Sequence, residues 1–315
     1  MAFGKLEWLK FIRLKFNKMN KKQLSAWGII GIFLLSWVGF VIFSNLSGNG
    51  ALEVQVEKHL ASVASSKAER IGTFLDERKV DLEFLVGLDK VTSSFEAGAV
   101  DSELAKELES FRKVNGYLDL ILIDIDGSVL WSSSNKGIIG TNLGGIDSEL
   151  GRVFDKVQND FGVGIFDPGY FNEGEKLSVF VTSPVLVESE SVMGKMDMLG
   201  IVALQIDNKE IEGRVVSDVG LEGGKIYLVN KDATPISELI GEDGRQIVKV
   251  ETVMVKDCFK NYQNYYFERS GQKVNLIEKS GIYDGYSGEK VFGAHDYILR
   301  TGWCVLVEKE ELECS

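Results

Sequence analysis

The stretch "DFGVGIFDPGYFNEGEKLSVF", residues 160–180, places aromatic side chains beside a carboxylate. Apolar walls around a few polar groups are typical of small-ligand pockets. The stretch as a whole therefore predicts a pocket wall, with the candidates Phe161, Phe166, Asp167, Tyr170 and Phe171. Taken singly, each residue has a plainer interpretation, because Phe161 and Phe166 also suit a core and "DPG" also suits a turn.

Further candidates come from the predicted strands. Asp207 ends the run "GIVALQID", where a partly desolvated carboxylate could hold a ligand ammonium. It could equally cap the helix expected to follow, since Asp is among the best N-cap residues. Tyr117 and Asp119 are weaker candidates, which alternation places on one face, and for Asp this is more often the solvent face. The set is completed by Trp131 and Arg152.

The sequence does not predict an enzyme. His59 and His295 are the only histidines, and neither has a nucleophile elbow or a group of metal ligands beside it in the sequence. "GLEGGK" lacks the spacing of a P-loop, and "DIDG" lacks the later ligands of an EF-hand. We therefore expect no catalytic activity, no metal and no cofactor.

Hydrophobic periodicity predicts the helices that position these residues. Residues 54–86 repeat apolar side chains in steps of three and four, which predicts a long amphipathic helix. Its apolar face would pack on the protein's own sheets or on a second copy in a parallel dimer. A break at "GLDKVTSSFEAGA" precedes a shorter predicted helix at 101–114.

From residue 116 the period changes to that of strands. "GYLDLILIDIDGSVLWSSS" predicts a hairpin with an Asp-Gly turn, and "EKLSVFVTSPVLV" with "MLGIVALQID" predicts a second pair. A helix at about 208–218 is followed by the strand "GGKIYLV", by "GRQIVKVETVMVKDCFKN" as a strand leading into a helix, and by the closing hairpin "KVFGAHDYILRTGWCVLVEKEEL". The pattern predicts two antiparallel sheets in succession, each with helices.

The net charge of −12 is divided unevenly, because residues 1–25 carry seven Lys or Arg and one Glu, and the rest sums to −18. The body of the chain therefore lacks the clustered cations that nucleic acid binding requires. Residues 26–43 form an apolar run close to the length of about 20 residues that crosses a bilayer. We predict a transmembrane helix at 26–44, with a cytoplasmic N-terminus by the positive-inside rule. A cleaved signal peptide fits less well, because its apolar region is shorter.

The cysteines are Cys258, Cys304 and Cys314. An oxidising compartment would permit a bridge between Cys258 and Cys304. An odd count without regular spacing is no disulfide framework, so buried free thiols are predicted.

Several stretches occur in a definite order over roughly 52–312: "GYLDLILIDIDGSVLWSSSNKGIIGTNL", "VFVTSPVLV" leading into "GIVALQID", "GGKIYLVNKDATPIS" and "YSGEKVFGAHDYILRTGWCVLVEKEELE". Together they resemble the extracytoplasmic double Cache sensor regions of bacterial transmembrane receptors, most closely those joined to histidine kinases. The resemblance implies a PAS-like distal lobe that binds a small ligand and a PAS-like membrane-proximal lobe. Asp207 falls where the family's amine-binding Asp occurs. "RVFD", beginning at Arg152, departs from the family's Arg-x-Trp-Tyr stretch, so the resemblance does not extend to an amino-acid ligand.

The predicted fold class is α+β: one N-terminal transmembrane helix, a long amphipathic helix, then two tandem PAS-like antiparallel-sheet lobes (double Cache). The predicted segments are a basic cytoplasmic segment at 1–25, the transmembrane helix at 26–44, helices at 45–115, the distal lobe at 116–218 and the membrane-proximal lobe at 219–315. The predicted function is extracytoplasmic small-ligand sensing in a membrane-anchored receptor of the chemoreceptor or sensor kinase type. The alternative is a membrane-tethered interaction or scaffold module that has no small-molecule ligand.

The predicted partners follow from this interpretation. They are a small molecule in the distal lobe, the bacterial inner membrane, crossed once, and a second copy bound through the long helix. Because the sequence contains no kinase, cyclase or methyl-accepting segment, we also expect a separate output protein if the chain is complete. Most of the chain would be periplasmic or extracellular, and no nucleic acid is expected.

Overall fold

The computed structural model describes residues 21–145, 148–160, 162–166, 178–189, 192–216, 224–236, 239–241, 247, 249–272 and 277–310. The chain divides into two compact units, Met1–Val56 and Glu57–Ser315. The first helix, α1, runs over Lys21–Val86. In the described part of the chain, no helix is long and apolar enough to span a membrane. The predicted transmembrane helix at 26–44 falls on residues whose side chains, apart from Ser36 and Trp37, lie outside that part.

The predicted long amphipathic helix forms the later part of α1. Its buried apolar residues recur in steps of three, four and their sums, which places them on one face of the helix. They are Leu60, Ala64, Ala68, Ile71, Phe74, Leu75, Leu82 and Leu85. This face is buried within the second unit, so the helix packs on the protein's own chain, in agreement with one of the two alternatives.

The segment predicted as a break after α1 contains a helix, α2 (Asp89–Ala97), so that prediction is wrong. Its buried Phe95 packs on Gly200 of the first sheet, a tertiary contact that local sequence does not reveal. The next helix, α3 (Ser102–Asn115), agrees with the predicted one to within a residue. It begins at Asp101, whose side chain accepts hydrogen bonds from two backbone N–H groups of the first turn.

The first sheet has five antiparallel strands in the order β2-β1-β5-β4-β3. The strands are β1 (Asp119–Asp124), β2 (Val129–Ser132), β3 (Gly164–Phe166), β4 (Ser178–Glu188) and β5 (Met196–Asp207). A short 3-10 helix (Lys136–Ile138) and α4 (Glu149–Asp160) lie between β2 and β3, and α5 (Asn208–Val216) follows β5. The β1–β2 turn contains Gly127 at φ +89°, a conformation that glycine adopts without strain.

The second sheet has four antiparallel strands in the order β6-β9-β8-β7. The elements are β6 (Gly224–Val229), α6 (Val253–Arg269), β7 (Ser280–Asp284), β8 (Lys290–Ile298) and β9 (Trp303–Glu310). The strand predicted before α6 is absent from the described residues there, where Ile247 and Val250 donate backbone hydrogen bonds to Leu239 and Ala233 outside any strand. The long helix and the two antiparallel sheets confirm the α+β class.

A disulfide joins Cys258 of α6 to Cys304 of β9, with 6.3 Å between the Cα atoms. The prediction of free thiols is therefore wrong for these two residues, and Cys314 lies outside the described residues. The two residues are 46 positions apart, and only the packing of α6 on β9 brings them together inside the core of the second lobe. A buried disulfide is typical of proteins in an oxidising compartment.

Candidate functional site

A row of small residues crosses the middle of the first sheet. Ala203 of β5 lies opposite Thr182 of β4, which lies opposite Gly164 of β3. Directly opposite residues point to the same face, so Thr182 shares the face of Ala203, which packs in one apolar cluster with α4. The ring of Phe166 lies over Gly164, where an added Cβ would come within 2.3 Å of it. On the face of the sheet that α4 covers, the small side chains of this row therefore protrude least.

Thr182 brings an unpaired polar group to this face. Its side chain is fully buried, and its Oγ1 atom has no hydrogen-bond partner in the described part of the chain. A buried hydroxyl without a partner costs about 1–3 kcal/mol, so native proteins rarely keep one without a reason. A molecule bound on this face would supply the missing partner.

Polar side chains line one end of the same face. Gln205 Nε2 donates to Ser178 Oγ at 2.9 Å. Asp207 lies opposite Ser178 in the register and its Oδ1 accepts from the backbone N–H of Lys209 at 3.0 Å, which is an N-cap contact to α5. Its Oδ2 has no partner among the described residues. Capping and ligand binding are thus compatible, since each uses a different oxygen.

Tyr117 lies before β1 and turns toward the helices. Its buried hydroxyl donates to Asp81 of α1 and accepts from Arg78 at 3.4 Å, and its ring stacks on Phe111 of α3 with 6.2 Å between centroids. Burial, and then the hydrogen bond to Asp81, raise the pKa of Tyr117. Tyr117 therefore joins α1 and α3 to the start of the sheet.

Asp119 is buried, which corrects the expectation that it shares a solvent face with Tyr117. Its carboxylate accepts hydrogen bonds from the hydroxyls of Ser132 and Ser133, each at 2.6 Å, and from the backbone N–H of Ser134 at 2.9 Å. A buried carboxylate is stable only when such donors replace water. Sequence alternation cannot reveal this, because the donors come from β2 and the turn that follows it.

The remaining described candidates have simple settings. Phe166 belongs to the apolar core, with Lys156 Nζ 4.8 Å from its ring centroid. Trp131 is buried, and Lys136 Nζ lies 4.6 Å from its ring centroid. Arg152 is exposed on α4. The register brings Phe166, Asp207 and Asp119 to one face of the sheet, where the carboxylate of Asp119 is already held by its own donors. Trp131 lies opposite Leu122, on the other face.

The other candidates lie outside the described residues. They are Phe161, Asp167, Tyr170 and Phe171. Sequence reasoning missed Thr182, because a threonine inside the apolar run "SVFVTSPVLV" looks like an ordinary strand residue.

The second lobe has a buried polar centre that sequence reasoning also missed. The hydroxyls of Tyr227 and Tyr283 both donate to Glu308 Oε1 at 2.6 Å. Burial raises the pKa of Glu308, although the two tyrosine hydrogen bonds oppose this change. All three side chains are buried, so this polar centre is filled by the protein itself.

His295 of β8 is buried beside the disulfide. Its Nε2 lies 3.2 Å from Asn261 Nδ2, and its Nδ1 lies 2.9 Å from Met254 Sδ. Burial lowers the pKa of His295 to about 4, so the ring is neutral at pH 7. In the described part of the chain, no group of acidic, histidine or cysteine side chains has the arrangement of a metal site.

Two antiparallel sheets in tandem after one long helix define a two-lobed α+β protein. Residues 49–314 match the family model described as Cache domain, and the chain belongs to that family. Cache domains are extracytoplasmic parts of membrane receptors and are ligand-binding modules without catalytic activity. No curated protein matches the chain.

Solved structures share the fold at low sequence identity. The extracellular domain of rpHK1S-Z16, described as a histidine kinase, has a TM-score of 0.55 and 16% identity, with 82% of this chain and 96% of that one covered. The ligand binding domain of the Pseudomonas aeruginosa PAO1 amino acid chemoreceptor PctB, in complex with L-Arg, has a TM-score of 0.53 and 11% identity. The match covers 82% of this chain and 96% of that one. An extracellular ligand binding receptor from Desulfohalobium retbaense has a TM-score of 0.50 and 9% identity. The match covers 79% of this chain but only 40% of the length of that receptor.

Proposed function

We propose that the chain is the extracytoplasmic small-ligand sensing module of a membrane-anchored receptor, with the ligand bound in the first lobe. Cache domains of chemoreceptors and sensor kinases bind small ligands outside the cell. The observation that carries the proposal for this chain is the unpaired, fully buried hydroxyl of Thr182 in the row of small residues. A ligand acceptor or donor at this point would remove the cost of the unpaired group.

The ligand chemistry follows from the groups along this face, on which Asp207 lies four residues beyond Ala203, about 13 Å by strand rise. A polar group of the ligand bonds the hydroxyl, an apolar part packs on Phe166, and a cationic group pairs with the free Oδ2 of Asp207. The sequence predicts that Asp167, Tyr170 and Phe171, which lie outside the described residues, also contribute to the wall. Tyr117 and Asp119 hold the frame of the sheet and do not contact the ligand.

We assign residues 116–218 to the distal lobe and 219–315 to the membrane-proximal lobe of a receptor that crosses the membrane once, at 26–44. The buried disulfide supports an oxidising compartment for the second lobe. The basic residues before the apolar run support a cytoplasmic N-terminus. The exposed side chains of α1, among them Val80 and Phe84, support a dimer through this helix.

The test is a thermal-shift screen of small metabolites against the full chain, followed by substitution at Thr182. Thr182→Val removes the hydroxyl and keeps the volume, so the ligand-free Tm stays or rises while the ligand-induced shift falls, with affinity reduced at least about tenfold. Thr182→Ser keeps the hydroxyl and should retain most of the affinity. The proposal fails if the screen finds no binder, or if the valine variant binds as tightly as the wild type.

An interaction module is the second candidate, and one observation favours it. The β4–β5 hairpin presents apolar side chains to solvent, with Met193 fully exposed and Leu186, Val192 and Met196 between 39% and 50% exposed. Clustered exposed apolar residues are typical of protein-binding surfaces. If Met193→Gln abolishes signalling while no ligand is found for the first lobe, this second function replaces the first.

A further inference from the structure

A second opening lies between α1 and the second lobe. It is a groove of about 650 Å³, within the range of roughly 300–1,000 Å³ that small-molecule sites occupy. One wall is a face of α1, and the other consists of α6 and the turn after β8. The groove shares no residue with the row around Thr182. The side chains that matter below are Glu69, Gly72, Tyr265, Tyr266, Arg269 and Tyr297.

Several charged side chains along this groove already have partners. Arg300 Nε pairs with Asp76 Oδ1 at 2.8 Å. Asp296 accepts a hydrogen bond from Ser65 Oγ at 2.5 Å and pairs with Lys279 Nζ at 2.7 Å. Because these charged groups pair with one another, they are poorly suited to bind a charged ligand.

Two charged groups of opposite sign remain, one on each wall. Within the described residues, Glu69 of α1 has no hydrogen bond or ion pair. Arg269 of α6 has one long hydrogen bond, to the hydroxyl of Tyr265 at 3.4 Å. The two side chains are exposed and line the same groove, yet they form no ion pair with each other. A molecule with an ammonium at one end and a carboxylate at the other can bridge them.

Tyrosine rings supply the apolar surface beside these charges. Tyr265 lies edge-on to Tyr266 with 5.5 Å between centroids, and it lies 6.1 Å from Tyr297. Arg269 lies over the face of Tyr265 at 5.8 Å, and Lys279 lies over the face of Tyr297 at 5.5 Å. The apolar parts of these rings can pack on a short hydrocarbon stem.

We propose that this groove is a second ligand site, which binds a small zwitterion with separated charges. The ammonium pairs with Glu69, the carboxylate pairs with Arg269, and the stem packs on the tyrosine rings. Because Glu69 belongs to α1 and Arg269 to α6, the bound molecule fastens the long helix to the second lobe. The site does not depend on a ligand in the first lobe, and it gives a receptor of this kind a second input at the helix.

The test is isothermal titration calorimetry on the full chain with the ω-amino acids 6-aminohexanoate and 8-aminooctanoate. The controls for charge are hexylamine, which has only the ammonium, and hexanoate, which has only the carboxylate. We expect at least one ω-amino acid to bind, and the two halves to bind at least about tenfold more weakly. Glu69→Gln and Arg269→Gln should each weaken binding by at least about tenfold, because each leaves one charged end of the ligand without its partner.

Gly72 offers a variant that fills the groove without disturbing the fold. A Cβ at this position meets only Ile298 Cγ2, at an ordinary 3.9 Å. Gly72→Leu should therefore keep or raise the Tm, since leucine favours a helix more than glycine does, and it should abolish binding. Thr182→Val should leave this binding unchanged.

Three results would overturn the proposal. One is that neither ω-amino acid binds, and another is that hexylamine alone binds as tightly. The third is that binding survives both Glu69→Gln and Arg269→Gln. If Thr182→Val abolishes the binding and Gly72→Leu does not, the molecule occupies the first lobe, and this inference fails while the proposed function stands.

Discussion

Removal of the Cys258–Cys304 bridge should destabilise the protein by about 4 kcal/mol. The bridge joins residues 46 positions apart, and the loop-closure entropy of a loop of that length amounts to about 4 kcal/mol at 25 °C. The double variant Cys258→Ala/Cys304→Ala is preferable to a single change, because a single change would leave one bridge partner free to pair with Cys314. Both sulfurs are fully buried in the core of the second lobe, so the small volume lost adds to the effect.

The assay is urea unfolding followed by tryptophan fluorescence. Trp303 is 2% exposed and precedes Cys304 in β9, so its emission reports on the lobe that holds the bridge. Three samples are compared: the wild type, the double variant, and the wild type with a reducing agent that is strong enough to open a buried disulfide. The reduced wild type and the double variant should unfold at similar urea concentrations, both well below that of the oxidised protein.

Cys314→Ala is the matched control, since this cysteine takes no part in the bridge. It should leave the urea midpoint unchanged. A loss below about 1 kcal/mol in the double variant would refute the entropic reasoning. A wild-type midpoint that does not respond to the reducing agent would show that the bridge does not form.

Three further predictions concern single buried residues. Burial lowers the pKa of His295 to about 4, so its neutral ring makes its full contribution to the free energy of unfolding above pH 6.5. As the pH falls from 6.5 to about 4, up to about 3 kcal/mol of this free energy is lost. His295→Gln should remove this part of the pH dependence of urea unfolding. Asp119→Asn should lower the free energy of unfolding by about 2 kcal/mol, because its carboxylate accepts four hydrogen bonds from neighbouring groups in the lobe. Gly200→Ala should cost about 1–3 kcal/mol by thermal unfolding, since the new Cβ would lie 2.4 Å from the ring of Phe95.

Each of these changes has a control or a contrary result. The contrary result for His295→Gln is a pH dependence between 6.5 and 4 that equals that of the wild type. If Asp119→Asn abolishes ligand binding without loss of stability, Asp119 is a ligand contact and not a support of the sheet. Gly281→Ala is the control for Gly200, because an added Cβ there meets nothing within 4 Å; an equal loss in both would contradict the packing argument.

Local pattern was enough to predict much of the fold. Alternation and the Asp-Gly turn predicted the first hairpin, and helical spacing predicted that the long helix ends near Val86, where α1 ends. The pattern failed where a tertiary contact decides the conformation. In the helix α2, Phe95 packs against Gly200, a contact that local pattern does not contain. Before α6, the described residues Ile247 and Val250 donate to Leu239 and Ala233 outside any strand.

Single side chains were harder to predict than elements. Alternation assigned Asp119 to the solvent, but donors from β2 and the turn after it surround its carboxylate. The N-cap interpretation of Asp207 was open to sequence reasoning because capping is local. The unpaired hydroxyl of Thr182 could not be predicted from sequence, since such a group becomes unusual only when the surrounding protein excludes water.

The sequence by itself determined the periodic features of this protein: a long helix, two runs of antiparallel strands, an apolar N-terminal run and an ordered set of stretches that resemble one family. Such features depend on neighbours a few positions apart, and their spacing is written in the chain. Tertiary structure alone decided which distant residues meet. It joined Cys258 to Cys304, and it placed Glu69 and Arg269 on opposite walls of one groove, because packing of helices and sheets sets these distances and local spacing does not.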